Sequence, residues 1–180
     1  MPGEKTIYRK IQVVLDYVKS GKHHSFDSLS KYIYSRAPAN FIYYYRHKET
    51  DKVKFDYSKK SIDRTIQLCL ELRLISKDRL SLANIGASAS DPRRFPIIIG
   101  KCVIDLLKRK KISLDLIKNT IEDVLHDSNP KPPTSLEIWK RLEVDENDIK
   151  LVRYKQLINL LGQCNILLMT QKRIFLPFRK

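Results

Sequence analysis

Apolar residues recur three and four positions apart along most of this chain, and at two points that spacing breaks into short alternating runs. Between Lys5 and Ser20, the residues Ile7, Ile11, Val14, Leu15 and Val18 fall on one side of a helix, and Gly21 is a natural stop. Ser25 can cap a second helix, "FDSLSKYIYSR", in which Phe26, Leu29 and Ile33 share a face; the Ala-Pro-Ala after Arg36 ends it. Residues 36–57, "RAPANFIYYYRHKETDKVKFDY", alternate aromatic and charged side chains and predict an insertion built as a short hairpin or an extended loop. Ser58 then opens a third helix with Ile62, Ile66, Cys69, Leu70 and Leu72 inward. It runs into two short strands, "LIS" and "RLSL", around the turn Lys77-Asp78.

The second half follows the same grammar. "GASASDPRRFP" has the composition of a linker, and the spacing after it predicts a connecting helix over Ile97 to Lys111. Ser113 caps a helix with Leu116, Ile117, Ile121, Val124 and Leu125 inward, and "NPKPP" breaks the chain. "TSLEIWKRL" predicts a short helix with Leu136, Trp139 and Leu142 inward, and Asp145 to Gln163 a longer one carrying Leu151, Tyr154, Ile158 and Leu161. The strands "ILLMT" and "RIFLP" close the unit around Gln171-Lys172. A displacement of 92 residues lays Leu72, Leu74 and Ile75 on Cys164, Ile166 and Leu167, with two extra residues in the second hairpin. The match is one of pattern, so it predicts a structural repeat and says nothing about duplication.

Three helices and a hairpin, met twice, give the order of a winged helix-turn-helix. The phrase "LCLELRLISKDRLSLANIG" resembles the end of a winged-helix recognition helix, where a buried leucine pattern runs into the wing and a glycine closes it. The chain as a whole is similar to tandem winged-helix DNA-binding proteins. That resemblance implies a mainly α fold with short β-hairpin wings, two winged helix-turn-helix units joined by a helical bridge. Its parts would be residues 1–90 with the aromatic and basic insertion at 36–57, a linker and connecting helix at 91–111, and residues 112–180.

Charge narrows the partner. Thirty-five Lys and Arg against 20 Asp and Glu leave +15. The surplus is even: residues 1–90 hold 17 cations and 9 acids, and residues 91–180 hold 18 and 11. Such a body repels itself, and an extended polyanion relieves that repulsion, which favours nucleic acid over the competing reading of a basic protein docked on an acidic one. Cys69, Cys102 and Cys164 are odd in number, far apart and set among apolar neighbours, as reduced core residues are. The start "MPGEKTIYRK" lacks the apolar core of a secretion signal, and the apolar patch "FPIIIG" is cut off by Lys101, so no membrane partner is expected. The expected compartment is the cytoplasm, nucleoid-associated, or the nucleus.

What the winged-helix resemblance implies for the site is that the third helix of each unit enters the major groove while the wing rides on phosphates or the minor groove. In the first unit the outward residues are Lys59, Lys60, Asp63, Arg64 and Gln67, with Lys77 and Arg79 on the wing. In the second they are Lys150, Arg153, Lys155, Gln156 and Asn159, with Lys172 and Arg173 on the wing. Arg pairs bidentately with guanine and Gln or Asn with adenine, while Lys needs only a phosphate, so the mixture points to sequence reading as well as backbone binding. The plainer account is that any amphipathic helix of a basic protein exposes such residues. In the insertion, Arg46, Lys48, Lys52 and Lys54 are the candidates for phosphate. Phe41, Tyr43, Tyr44 and Tyr45 either stack unpaired bases or, more in keeping with a half-buried hairpin, complete a core. The run "KRKK" at 108–111 reads as a solvated helix end.

No enzyme emerges. His23, His24, His47 and His126 are not spaced with the cysteines as zinc ligands, and there is no glycine-rich phosphate loop or nucleophile elbow. Asp148-Ile149-Lys150 echoes a nuclease Asp-x-Lys, but at a helix start, where acids answer the helix dipole; the same segment lacks the glycine and terminal glutamate of a calcium loop. The expectation is therefore a non-catalytic protein without cofactor or metal that binds double-stranded DNA, or structured RNA, as a regulator or as a DNA-targeting or accessory subunit. A protein partner or a separate catalytic subunit would complete the latter role. The rival is a winged-helix scaffold of a larger complex, for which Phe41 to Tyr45 and the terminal "IFLPF" would be the apolar patches.

Overall fold

The structure is a computed structural model that describes residues 7–21, 25–36, 41–46, 53–57, 59–78, 80–89, 91–127, 131–170 and 173–177, with the strands at 42–46 and 53–57 described by their backbone. Among these residues the protein is mainly helical, with eight helices and two small antiparallel hairpins. It divides into two compact units, Met1–Phe95 and Pro96–Lys180.

The first unit is built on α1 (Ile7–Ser20), α2 (Phe26–Arg36) and α3 (Lys59–Glu71). Ile11, Val14, Leu15, Leu29, Ile33, Ile62 and Ile66 are buried where these helices meet. Ser25 caps α2 as expected: its hydroxyl accepts from the Ser28 amide at 3.1 Å while the Ser28 hydroxyl accepts from the Ser25 amide at 3.2 Å, a reciprocal pair of the capping-box kind. Ser58 lies outside the described residues. Edge-to-face rings tie α1 to α2 through Tyr17 and Tyr32, centroids 5.6 Å apart. The buried Ser30 of α2 donates a hydrogen bond to the carboxylate of Asp63 on α3, so Asp63, expected to face outward, is turned toward α2.

Between α2 and α3 stands a hairpin of β1 (Ile42–Arg46) and β2 (Val53–Tyr57), in register from Ile42↔Tyr57 to Arg46↔Val53. The two helices are thus joined through an antiparallel ladder and not by the short turn of a simple helix-turn-helix. Phe41, at its foot, is fully buried, in keeping with a core role for that ring.

After α3 the two expected strands reduce to a single bridge, Ile75↔Leu82, with Ser76 donating to the Ser81 carbonyl at 2.9 Å. The next residues are the helix α4 (Asn84–Ala89), where linker composition had predicted loop from Gly86 onward. Packing decides it: Gly86 is buried against the backbone of Leu74, whose carbonyl also accepts from the Ala83 amide at 3.0 Å. A Cβ at Gly86 would overlap the Leu74 carbonyl oxygen and stand 2.9 Å from its carbon, so glycine is required here by close approach, not by backbone angle.

The second unit contains α5 (Phe95–Arg109) from Pro96 onward, α6 (Leu114–His126), α7 (Ser135–Arg141) and α8 (Leu151–Gln163), then β3 (Leu168–Thr170) paired with β4 (Arg173–Phe175). Helix α5 starts two residues earlier than the spacing predicted and ends before Lys111. Ser113 caps α6 as expected, accepting from the Leu116 amide at 3.0 Å. Thr134 and Glu137 form a reciprocal capping box at α7, and Thr134 pairs with Arg173 in a single bridge beside β4.

Helical faces in this unit depart from the expectation in three places. Leu116 and Leu125 stand 43% and 36% exposed while Thr120 takes an inward place, satisfied by the Leu116 carbonyl. On α7 the buried pair is Ile138 and Trp139, with Leu136 exposed. Helix α8 begins at Leu151, not Asp145, because Asp145 closes a separate turn: its carboxylate accepts from the Asn147 amide and its carbonyl from the Asp148 and Ile149 amides.

Helices α3 and α8 repeat each other closely. Each has 13 residues, and their starts at 59 and 151 lie 92 apart. At that displacement the buried set Ile62, Thr65, Ile66, Leu68 and Cys69 falls on Tyr154, Leu157, Ile158, Leu160 and Leu161, with no residue out of place. They end alike as well. Arg73 and Asn165 both take φ of 58°, the left-handed residue of a Schellman ending. Leu74 donates to the Cys69 carbonyl and Ile166 to the Leu161 carbonyl, both at 2.9 Å.

Candidate nucleic-acid interface

The packed sides of α3 and α8 fix which residues are left outside. On α3 the outer row is Lys60, Arg64, Gln67 and Glu71, one or two turns apart along the axis. The 92-residue displacement sets Val152, Gln156, Asn159 and Gln163 in the same places on α8.

Of the residues expected to face outward in the first unit, Lys60, Arg64 and Gln67 are exposed. The Gln67 amide donates to Glu71 at 3.4 Å. Lys59 is exposed too but bound: its ammonium lies 2.9 Å from one oxygen of Asp27, while Lys31 holds the other at 2.7 Å. The two lysines hold the Asp27 carboxyl down at about 2, and Asp27 in turn raises the Lys59 ammonium above the usual lysine range. Lys59 therefore flanks the outer row as a cation shared with α2. Lys77 is exposed beside the Ile75↔Leu82 bridge, and Arg79 lies outside the described residues.

In the second unit, Lys150 occupies the N-cap position of α8, exposed, without a capping hydrogen bond from its side chain. Arg153, Lys155 and Gln156 are half-buried and Asn159 is exposed. Arg153 donates to the amide oxygen of Gln156 at 2.9 Å, which fixes that amide with its NH2 group free of the same bond. Lys172 lies outside the described residues. Arg173 differs from the expectation of a phosphate-facing wing cation: its guanidinium donates to the Pro132 carbonyl at 2.9 Å and to Glu137 at 3.3 Å, locking β4 onto the α7 cap. The Glu137 carboxyl is held below its usual range, chiefly by the Thr134 amide it accepts from.

Of the insertion's cations, Arg46 and Lys54 are placed by backbone on the β1–β2 ladder, opposite Val53 and Tyr45. Lys48 and Lys52 lie outside the described residues. In the 108–111 run, Lys108 and Arg109 are exposed, and Lys111 forms a 3.0 Å ion pair with Asp148, which raises its ammonium above the usual lysine range. The Asp148-Ile149-Lys150 triplet is thus part of a turn and an ion pair.

Sequence reasoning missed three residues of the outer rows, Glu71, Val152 and Gln163. Val152 is 67% exposed, the most exposed large apolar side chain among the described residues, in the first turn of α8 and one turn from Gln156. The signal was present: once Tyr154 and Ile158 are inward, position 152 must point away.

Burial pushes the Cys102 and Cys164 thiols up to about 11, so they stay protonated at neutral pH. Among the described residues no group of three or more His, Cys, Asp or Glu could hold a metal ion, and no helix is long and apolar enough to cross a membrane. Comparison with models of known protein families, with curated proteins and with solved structures gave no match to this chain.

Proposed function

We propose that this protein is a non-catalytic, double-stranded DNA-binding protein whose helices α3 and α8 are the reading heads of two winged-helix units. The observation that carries the reading is the repeat itself. Two helices of equal length share one buried pattern and one ending, and seven of the eight residues in the rows they leave outside are polar: two cations, an amide and the acid Glu71 on α3, three amides beside Val152 on α8, in a protein of net charge +15. Packing accounts for the buried set; it does not require polar hydrogen-bonding side chains at matching outer positions.

The element order of the second unit supports the winged-helix assignment: α6, the bridging residue Thr134, α7, α8, then β3 and β4 with Thr134 alongside β4. The first unit departs from that order by the β1–β2 hairpin and by a wing of one bridge. On this reading Arg46, Lys48, Lys52 and Lys54, the cations of the 36–57 insertion, do the phosphate work that a longer wing would do. Phosphate neutralisation by about 6–10 cations supplies affinity. Arg64, Gln67, Gln156 and Asn159 supply discrimination among bases.

The test is binding of purified protein to labelled duplex across a salt series, followed by Arg64→Ala with Gln67→Ala at a selected site and on random duplex. Affinity should fall steeply and linearly in log salt, and the double substitution should weaken the selected site more, by about 1–3 kcal/mol per lost base contact. Equal losses on both duplexes would remove base reading, and no binding at low salt would end the proposal.

A further inference from the structure

The two outer rows sit at matching places on matching helices but carry different chemistry. Lys60, Arg64 and Gln67 of α3 correspond to Val152, Gln156 and Asn159 of α8. Resting on the DNA-binding reading above, we infer that the two heads read different base pairs: α3 a guanine-containing element, and α8 an A·T element in which Val152 contacts a thymine methyl group.

The inference starts from Val152. A β-branched apolar side chain 67% exposed near the start of a helix gains nothing from packing and lowers helix propensity slightly. In the major groove the one apolar feature of a base edge is the thymine 5-methyl group, which distinguishes A·T from G·C. Its neighbours along the row fit the same base pair. Gln156 and Asn159 are the side chains that pair bidentately with adenine, accepting from N6 and donating to N7. The 2.9 Å bond from Arg153 to the Gln156 amide oxygen occupies one of that oxygen's two lone pairs, leaving the second lone pair and the NH2 donors for adenine. Row positions 152, 156, 159 and 163 carry no charge, so they bring neither the cation that guanine favours nor an acid that would repel phosphate. On α3 the first two places are Lys60 and Arg64, both exposed, and both able to donate to guanine O6 and N7.

Site selection from a random duplex library is the first arm. The expected outcome is a site with two separable elements, one containing G·C pairs and one of A·T pairs. The second arm replaces thymine by deoxyuridine in the A·T element, which removes only the methyl group. That change should weaken the native protein about four-fold, the worth of one buried methyl. It should leave Val152→Ala unaffected. The third arm places the α3 chemistry on α8 with Val152→Lys and Gln156→Arg, and the A·T element should shift toward G·C while the other element stays. Val152 is exposed, so Val152→Ala should melt with the native protein; Gln156 is half-buried and bonded to Arg153, so a melting check accompanies each variant and the third arm is read only on folded protein.

Selection of the same base pairs by both elements, or a deoxyuridine effect equal in the native protein and Val152→Ala, would overturn the inference while leaving DNA binding intact. Failure to bind any duplex would overturn both readings together.

Discussion

Gly86→Ala tests the packing of α4 against the segment that follows α3. By helix propensity alone the substitution should stabilise α4 by about 1 kcal/mol. The structure demands the opposite sign. A Cβ at residue 86 would overlap the Leu74 carbonyl oxygen and lie 2.9 Å from the carbon and 3.3 Å from the Cα, all rigid backbone. Overpacking of this kind costs about 1–3 kcal/mol. Moving α4 away to relieve it stretches the 3.0 Å bond from the Ala83 amide to the same carbonyl, a further ~1 kcal/mol. Against the propensity gain, the net is a loss of about 1–3 kcal/mol. Ala87→Gly, on the exposed side of the same helix, is the control and should cost ~1 kcal/mol from propensity alone. Urea unfolding read by circular dichroism should give a lower midpoint for Gly86→Ala at unchanged slope, with faster hydrogen exchange at the Ala83 amide. A midpoint equal to or above that of the native protein would refute the account.

Other outcomes follow from single groups. The Tyr154 hydroxyl is fully buried with no hydrogen-bond partner among the described residues, and its burial raises its ionisation well above the usual tyrosine range. Tyr154→Phe should therefore raise stability by about 1 kcal/mol in the same urea assay. Glu143 takes φ of 48° just past α7, so Glu143→Gly should raise the melting temperature by relieving about 1 kcal/mol of left-handed strain and removing an acid from the negative helix end. The Asp27 carboxyl is depressed from 3.8 to about 2 by Lys31 and Lys59, so its contribution to stability is present above pH 4 and is lost as pH falls toward 2. Asp27→Asn should flatten that part of the acid denaturation curve, and on the DNA-binding reading it frees Lys59 for phosphate and tightens duplex binding at low salt.

The inward faces of α1, α3 and much of α8 were legible because a helix that packs on one side must repeat its apolar residues at 3.6, and nothing else in those segments competes with that signal. Serine caps at Ser25 and Ser113 were legible for a similarly local reason. Three features were not. Periodicity cannot separate a helix start from a preceding turn, so the Asp145 turn was absorbed into α8. Thr120 reads as polar, yet a threonine can be buried when its hydroxyl bonds to the carbonyl four residues back, and it took the place assigned to Leu116. Residues "NIGASA" have loop composition, and only the contact of Gly86 with Leu74, twelve residues earlier, makes them a helix. For the site, the sequence marked Lys60, Arg64 and Gln67 as outer residues of α3 but also Asp63, which Ser30 turns inward, and it assigned Arg173 to the wing surface, since that residue's bonds to Pro132 and Glu137 bridge some forty positions. Val152 carries no polar signal, and only the burial of Tyr154 and Ile158 shows that its position faces outward.

The same division between packed and free positions bears on how the two heads would share the work. What repeats between α3 and α8 is the set that packing controls: the buried residues, the helix length and the left-handed ending. What differs is the set that packing leaves alone. The α3 row holds two cations and one acid, and the α8 row holds none of either. On the proposed reading, replacing the α3 cations by neutral residues removes phosphate or guanine contacts and with them part of the salt dependence, because each neutralised phosphate contributes about 0.9 to the slope. Replacing the α8 row removes discrimination with little change in slope. On that reading the two rows differ in how much each adds to the salt dependence, a separation that two identical rows could not provide.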